Sequence, residues 1–357
     1  MKDILLSRLH SHHLLEDIYF STPEEVVRHY GCLQSQDIGQ ATWVIGSRIK
    51  NGTEEMVRDA CRKWKIVRTW PMRGTLHYMS PKLVRPLLKL CAAKTLPSFI
   101  KRREFLWITK EIAEKSLQLM QKYLKWGGVL TRTQMWEMLE KNAIPMQTWW
   151  TYHLTCYAGT LGLICFWPPT EKEETFVLLD EWVKETEVYS QEKALAETTR
   201  AYFRGHGWAT VDDFAWWTWL WKTASKNWIS MIQDELESMV YEGKTYYYFK
   251  QKNKNTSPQW FHFIGWFDEY FLWYKDRSIV ADIVHHEKLF TKNGIFFPII
   301  IKDGKAIWVW KREFKKDTVI FRVELLPWST PNKELLEKEC RRYASFMWYT
   351  KVEMRIS

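Results

Sequence analysis

Missing from this sequence are the usual signatures of a metal, a nucleotide or a membrane. Its six cysteines, Cys32, Cys61, Cys91, Cys156, Cys165 and Cys340, include no C-x-x-C pair. Scattered among apolar neighbours, they read as buried free thiols. His12-His13 and His285-His286 are adjacent pairs without the i,i+4 spacing of helical zinc ligands. There is no G-x-x-x-x-G-K-[ST] loop and no G-x-G-x-x-G, so neither a nucleotide cofactor nor a metal is expected. No stretch reaches the roughly 18 apolar residues of a membrane span. The start, Met1-Lys2-Asp3-Ile4, lacks a charged segment leading into an apolar run. The expectation is a reducing, cytoplasmic protein without membrane contact. Glycine is also short, at 15 of 357 residues, against a usual share of about 7%.

What is present is positive charge. The net charge is +10 with a pI near 9.1, which favours a polyanionic partner, nucleic acid first. Hydrophobic residues make up 46%, enough in a chain of this length for a large core and two or three small domains.

The chain organises around Cys32-Leu33-Gln34-Ser35-Gln36-Asp37. Thr22-Pro23-Glu24-Glu25 opens a helix just before it, with Thr22 as N-cap and acids in the first turn. Gly31 is a suitable end for that helix, and Asp37 reads as the N-cap of the next. Gln34 and Gln36 therefore fall in a short connection between helices. Residues two apart share a face in an extended segment, so the two amides can hold one water or one phosphate oxygen.

The same order of elements occurs three times. The first unit has helices at 3–17, after Pro23, over 39–48 and after Thr53. Strands follow at 66–70 and 74–79, joined by Pro71-Met72-Arg73, and a helix started by Ser80-Pro81 through the same cap chemistry runs toward Lys101-Arg102-Arg103. The second has helices at 111–125, 131–141 and 147–158, then strands at 161–166 and 175–179. The third has helices at 190–204, after Thr210 and over 224–236, then strands at 239–242 and 245–250. A polar loop covers 252–258. A small antiparallel sheet (296–302, 306–312, 318–325), a helix at 332–348 and a strand at 352–356 close the chain. Helices followed by a hairpin are the pattern of a winged helix, and the expected boundaries are 1–108, 109–188 and 189–357.

Five blocks carry a family resemblance. They are Gly31-Cys32-Leu33-Gln34-Ser35-Gln36-Asp37, Met72-Arg73-Gly74-Thr75-Leu76-His77, Tyr202–Gly207 with Ala209–Phe214, Phe267–Tyr270 with Tyr274–Ser278, and Gly294–Pro298. In this order they resemble the tandem winged-helix DNA-binding proteins that include the AlkZ-type and AlkX (YcaQ-like) DNA glycosylases. The resemblance implies an α+β fold of three tandem winged-helix units, forming a C-shaped body around duplex DNA. It implies hydrolysis of the N-glycosidic bond of alkylated purines, crosslinked ones included, by a monomer without cofactor. The two glutamines of the family's Q-x-Q fall on Gln34 and Gln36, with Ser35 in place of a small apolar residue. Glutamine is a poor general base, so such a pair suits a cationic purine that leaves readily. The bland alternative is that both amides cap backbone groups at the junction.

Arg68, Arg73 and His77 on the first hairpin, with Lys101, Arg102 and Arg103, are the candidate DNA contacts. Arg73 also reads as a partner for a core acid, and His77 as filling the hairpin face. Asp268, Glu269, Asp276 and Arg277 suggest an Arg277–carboxylate bridge, with a carboxylate assisting catalysis as the less favoured reading. The rival function is a non-enzymatic winged-helix DNA-binding protein, whether a transcription regulator or an inactive family member.

Tryptophan, by contrast, is abundant at 23. Several stand where the resemblance has glycine: Trp167, Trp273 and Trp308, while Trp126 precedes Gly127-Gly128 at a helix end. Two readings stay open. Either UGA codons for glycine have been translated on paper as tryptophan, or the protein uses its aromatics for packing and base stacking.

Overall fold

A computed structural model describes residues 2–15, 19–167, 173–184, 189–250, 261–281, 289–290, 296–325 and 332–357. The expected polar loop at 252–258, His285-His286 and the start of the block at 294 lie outside them. The elements are mixed α and β. The chain divides into two compact units. The first comprises Met1–Val57, Thr199–Trp217 and Trp221–Ser357, and the second Arg58–Thr198 with Thr218–Leu220.

In the first unit, local cap chemistry sets the helix ends. Thr22 accepts from the Glu25 N–H while Glu25 takes the Thr22 N–H, a reciprocal cap that starts the Pro23–Tyr30 helix. Gly31, at φ 77°, ends it. Asp37 accepts from the Gln40 N–H at 2.7 Å and starts the Ile38–Gly46 helix. The opening helix is Lys2–Ser11, shorter than expected. It closes where His13 turns left-handed and the Leu14 N–H returns to the Leu9 carbonyl. From Thr199 the helix Gln191–Gly205 belongs to this unit, and Val211–Thr218 (as far as Trp217) and Lys222–Ser230 precede the hairpin of Glu237–Tyr241 and Lys244–Tyr248.

A five-stranded sheet completes this unit, in the order Lys351–Ile356, Thr318–Leu325, Lys305–Lys315, Ile299–Lys302 and Phe261–Ile264. The last strand was not foreseen. The closing strand Lys351–Ile356 pairs parallel, not antiparallel, with Thr318–Leu325, because the Lys333–Phe346 helix intervenes and returns the chain in the same direction. Trp43, Trp308, Trp310, Phe321 and Tyr343 fill the core here, and the Trp43 indole N–H reaches the Phe263 carbonyl at 2.8 Å.

In the second unit, Val67–Met72 pairs with Thr75–Met79 around Arg73-Gly74, both left-handed (φ 59° and 67°). The expected connection Pro71-Met72 is strand instead. The register slips between Thr69 and Met72, where Pro71 has no N–H to offer the ladder. Val67–Met72 also pairs with Ile164–Trp167, and that strand with Thr175–Leu178. The expected first and second hairpins thus share one antiparallel sheet. The helices Pro81–Phe105, Lys110–Leu124, Arg132–Lys141 and Trp150–Thr160 accompany it. Trp70, Phe166, Phe176, Met120 and Leu154 form the core. Gly159 lets the last of those helices meet the Trp70 ring, since a Cβ there would lie 2.2 Å from it.

All six cysteines are free, and all but Cys61 are buried. No helix among the described residues is long and apolar enough to cross a membrane. Among the described residues, fourteen non-glycine residues have φ between 47° and 72°, and seven of them are tryptophans: Trp64, Trp107, Trp126, Trp149, Trp208, Trp219 and Trp348. None of the seven is buried. Trp167, Trp273 and Trp308 are not among them.

Candidate active site

The stretch carrying both glutamines is partly strand. After Gly31 the chain extends as Cys32–Gln34, bends, and enters the Ile38–Gly46 helix. Gln34 is buried, 7% exposed, and Gln36 is exposed. The strand holds Gln34 by its backbone: its N–H donates to Oε1 of Glu269 at 3.1 Å.

Glu269 is fully buried. Its Oε1 also accepts the Trp273 indole N–H at 3.1 Å, and its Oε2 lies 3.0 Å from Nε2 of His206. The proton positions follow from the partners. Nδ1 of His206 sits 3.1 Å from the Tyr202 carbonyl oxygen, which can only accept, so Nδ1 carries a proton. Nε2 of a neutral ring then accepts, and Glu269 supplies the hydrogen. Burial drives both groups this way. It pushes the Glu269 carboxyl well above its ordinary value and holds the His206 imidazole down at about 3. Both shifts favour the neutral forms, a carboxylic acid donating to an imidazole.

The neighbouring Asp268 is ionic. Arg48, also fully buried, grips it through two nitrogens at 2.8 and 3.0 Å. The Arg48 Nε–H reaches the Tyr30 hydroxyl and the His12 carbonyl, and Nη1 reaches the Val44 carbonyl. Asp268 in turn accepts the Tyr270 N–H at 2.9 Å, capping the turn Glu269–Leu272. The Ile38–Gly46 helix is therefore tethered from both sides. Gln34 before it is held by Glu269, and Arg48 after it by Asp268. Three of the five sequence blocks, those holding Gln34, His206 and Asp268-Glu269, meet here.

Arg277 was expected to bridge to a carboxylate. It donates to the carbonyls of Phe271 and Leu272, while Asp268 takes Arg48 and Asp276 takes Lys244. Nothing near Arg48 in sequence signals that partnership, 220 residues away.

The six candidate DNA contacts all belong to the second unit, whereas both glutamines belong to the first. Arg68 is buried, pairs with Glu174 at 2.8 Å and lies over the Phe166 ring at 4.4 Å. His77 is fully buried with Nδ1 3.0 Å from the Thr75 carbonyl, and burial holds its ring at about 3, hence neutral. Burial and these partners correct the expectation that Arg68 and His77 face phosphate. Arg73 is half-buried in the hairpin turn, Lys101 and Arg102 are exposed, and Arg103 is half-buried 5.7 Å from the Tyr157 ring. Among the described residues, no group of three His, Cys, Asp or Glu side chains is placed to hold a metal ion.

Sequence reasoning missed His206 and Arg48 as parts of this site, and favoured an ion pair over a catalytic role for the carboxylates at Asp268 and Glu269. Glu269 and His206 stood inside quoted blocks, but their contact joins residues 63 apart and reaches Gln34 across 235.

The family described as DNA glycosylase AlkZ-like matches residues 27–346. The chain is 26% identical over 365 residues to an interstrand DNA cross-link repair glycosylase of Streptomyces sahachiroi, covering 93% of this chain and 92% of that protein. The solved structure of the Streptomyces sahachiroi DNA glycosylase AlkZ shares its fold, with a TM-score of 0.80 at 21% identity over 100% of this chain and 99% of that one.

Proposed function

The chain belongs to the AlkZ-like DNA glycosylase family, and from that premise we propose that it excises purines carrying positive charge after N7 or N3 alkylation from duplex DNA. The side chains of Gln34 and Gln36 hold a water against C1′ of the damaged nucleotide. The C1′–N bond breaks, the water oxygen bonds to C1′, and the water's proton passes to solvent. The base began as a cation and leaves neutral, so its departure needs no acid. Glutamine cannot take a proton, but it can fix a water, and that suffices where the leaving group is already good. The observation that carries this reading is the fixed junction, in which Gln34 is buried with its peptide held by Glu269 while Gln36 faces outward.

Arg73, Lys101, Arg102 and Arg103 contact phosphates, so affinity for undamaged duplex falls with salt. The units at 1–108, 109–188 and 189–357 are tandem winged helices. What supports this is that helices precede each of the hairpins Val67–Met79, Ile164–Leu178 and Glu237–Tyr248. The relative from Streptomyces sahachiroi is named for interstrand cross-link repair, and we extend the substrate range here to crosslinked purines. The protein acts as a cytoplasmic monomer without cofactor.

The test is release of N7-methylguanine from duplex DNA under single turnover. Gln34→Ala and Gln36→Ala should each slow release by roughly a hundredfold with duplex affinity unchanged. Parent rates in both variants would return the two amides to a capping role. Duplex binding without release of any alkylated base would make the protein a non-enzymatic binder.

A further inference from the structure

We propose that Glu269 is a positioning residue for excision, its carboxyl fixing the peptide of Gln34. The proposal rests on the reading of Gln34 given above. The geometry is a continuous chain of hydrogen bonds. The Tyr202 carbonyl accepts from His206 Nδ1, His206 Nε2 accepts from the Glu269 carboxyl, and Glu269 Oε1 accepts from the Gln34 N–H. Each member is buried, so a broken link leaves a polar group without water to replace it. The Gln34 N–H is one bond from its Cα. Tilting that peptide swings the side-chain amide, and a water held by it moves away from the reacting carbon.

This chain of bonds predicts a specific rescue. The amide of Glu269→Gln can donate to His206 and accept from Gln34, so excision stays near the parent rate. Glu269→Leu loses both bonds, and the single-turnover rate drops by roughly a hundredfold with duplex Kd unchanged. If Glu269→Leu does not fold, His206→Phe removes only the far anchor, and a drop of roughly tenfold is expected from partial misplacement. A parent rate in folded Glu269→Leu or His206→Phe, while Gln34→Ala is inactive, overturns the positioning role and leaves the glycosylase reading standing. Glu269→Gln as slow as Glu269→Leu also overturns it. A parent rate in Gln34→Ala fails the water-holding reading itself.

A second inference rests on backbone conformation alone. Three left-handed tryptophans close helices in one way. The Trp64 N–H bonds the Cys61 carbonyl and the Lys65 N–H the Ala60 carbonyl. Trp107 with Glu104 and Ile108 with Arg103 repeat this, as do Trp348 with Ser345 and Tyr349 with Ala344. Gly162 closes the Trp150–Thr160 helix with the same pair, to Gly159 and from Leu163 to Ala158. This is the Schellman motif, whose left-handed position favours glycine because a Cβ strains it. Trp126 shares the left-handed region with Gly127, and both N–H groups meet the Glu181 carboxylate.

Packing offsets little at the five that are exposed, Trp126 at 94%, while Trp64 and Trp208 are half-buried and the Trp208 ring stacks 4.4 Å from Tyr248. Base stacking would explain an exposed indole but not a left-handed backbone beneath it. Tryptophans that do pack, such as Trp43, Trp70, Trp217 and Trp310, are fully buried and none has positive φ. We infer that Trp64, Trp107, Trp126, Trp149, Trp208, Trp219 and Trp348 are glycine in the protein as its own cell makes it, decoded from UGA. The shortage of glycine has the same origin. Reading the gene, and mass spectrometry of peptides from the native source, should find UGA codons and glycine at these seven positions. UGG codons or tryptophan residues there overturn the inference.

Discussion

The two units place the same interaction, an arginine against a carboxylate, at different depths. In the first, Arg48 and Asp268 are almost wholly out of water beside the neutral Glu269–His206 pair. In the second, Glu174 joins Arg68 and Arg132 but remains 26% exposed, and the centre is the apolar set around Trp70. A buried pair that also holds distant segments fixes where they lie. A pair at the margin adds modest energy to a core that packing already specifies. The largest expected effect follows. Asp268→Ala strands the Arg48 charge and should cost about 3–5 kcal/mol, while Arg48→Met with Asp268→Leu should recover most of it. Glu174→Ala should cost about 1–2 kcal/mol. Urea midpoints measure all three, and equal losses for Asp268→Ala and Glu174→Ala would erase the contrast between the units.

The contrast was only half legible in the sequence. Helix starts were readable because cap chemistry is local: Thr22, Asp37 and Thr131 each accept the N–H three residues on. Ser80 was expected to do the same, but its side chain makes no cap bond, and Pro81 at the first helical position has already fixed the backbone. Strands proved harder. Cys32–Gln34 is too short to show an alternating pattern, and Phe261–Ile264 has no polar alternation because it is buried throughout. The site itself was least legible. The glutamines could be picked out by type and spacing, but Arg48–Asp268 and Gln34–Glu269 join residues more than 200 apart.

A smaller effect separates the acids by pH. Burial opposes ionisation of Glu174, yet Arg68 and Arg132 hold its carboxyl below 4.5. In the window below 4.5 the unfolded chain binds the proton first, so the stability that Glu174 contributes is present above that value and lost as pH falls through the folded one. Glu269 has the opposite sign. Its folded carboxyl titrates above 4.5, so the folded state binds the extra proton and stability falls as pH rises from 4.5 through the folded value. One proton limits either slope to about 1.4 kcal/mol per pH unit. Glu269→Gln should flatten the decline on the alkaline side, and Glu174→Gln the loss on the acid side. Unfolding free energies across the range would refute the neutral acid if Glu269→Gln steepened the alkaline decline.

The smallest effect belongs to Trp107 in the second unit, set against Trp70 of the same unit. Trp70 is buried against Phe166 and Phe176 with ordinary backbone angles, and Trp70→Ala should cost about 3–5 kcal/mol through the cavity it leaves. Trp107 is 83% exposed at φ 58°, so removing its indole forfeits little burial. Trp107→Gly relieves about 1–2 kcal/mol of left-handed strain and loses part of that to the freer unfolded chain. A net gain of about 1 kcal/mol is expected. Trp107→Ala is the necessary comparison, because it discards the same indole but keeps the Cβ that causes the strain. If alanine stabilises as much as glycine, the exposed ring was the burden. If only glycine does, the left-handed backbone at residue 107 was shaped for glycine, whatever the written sequence places there.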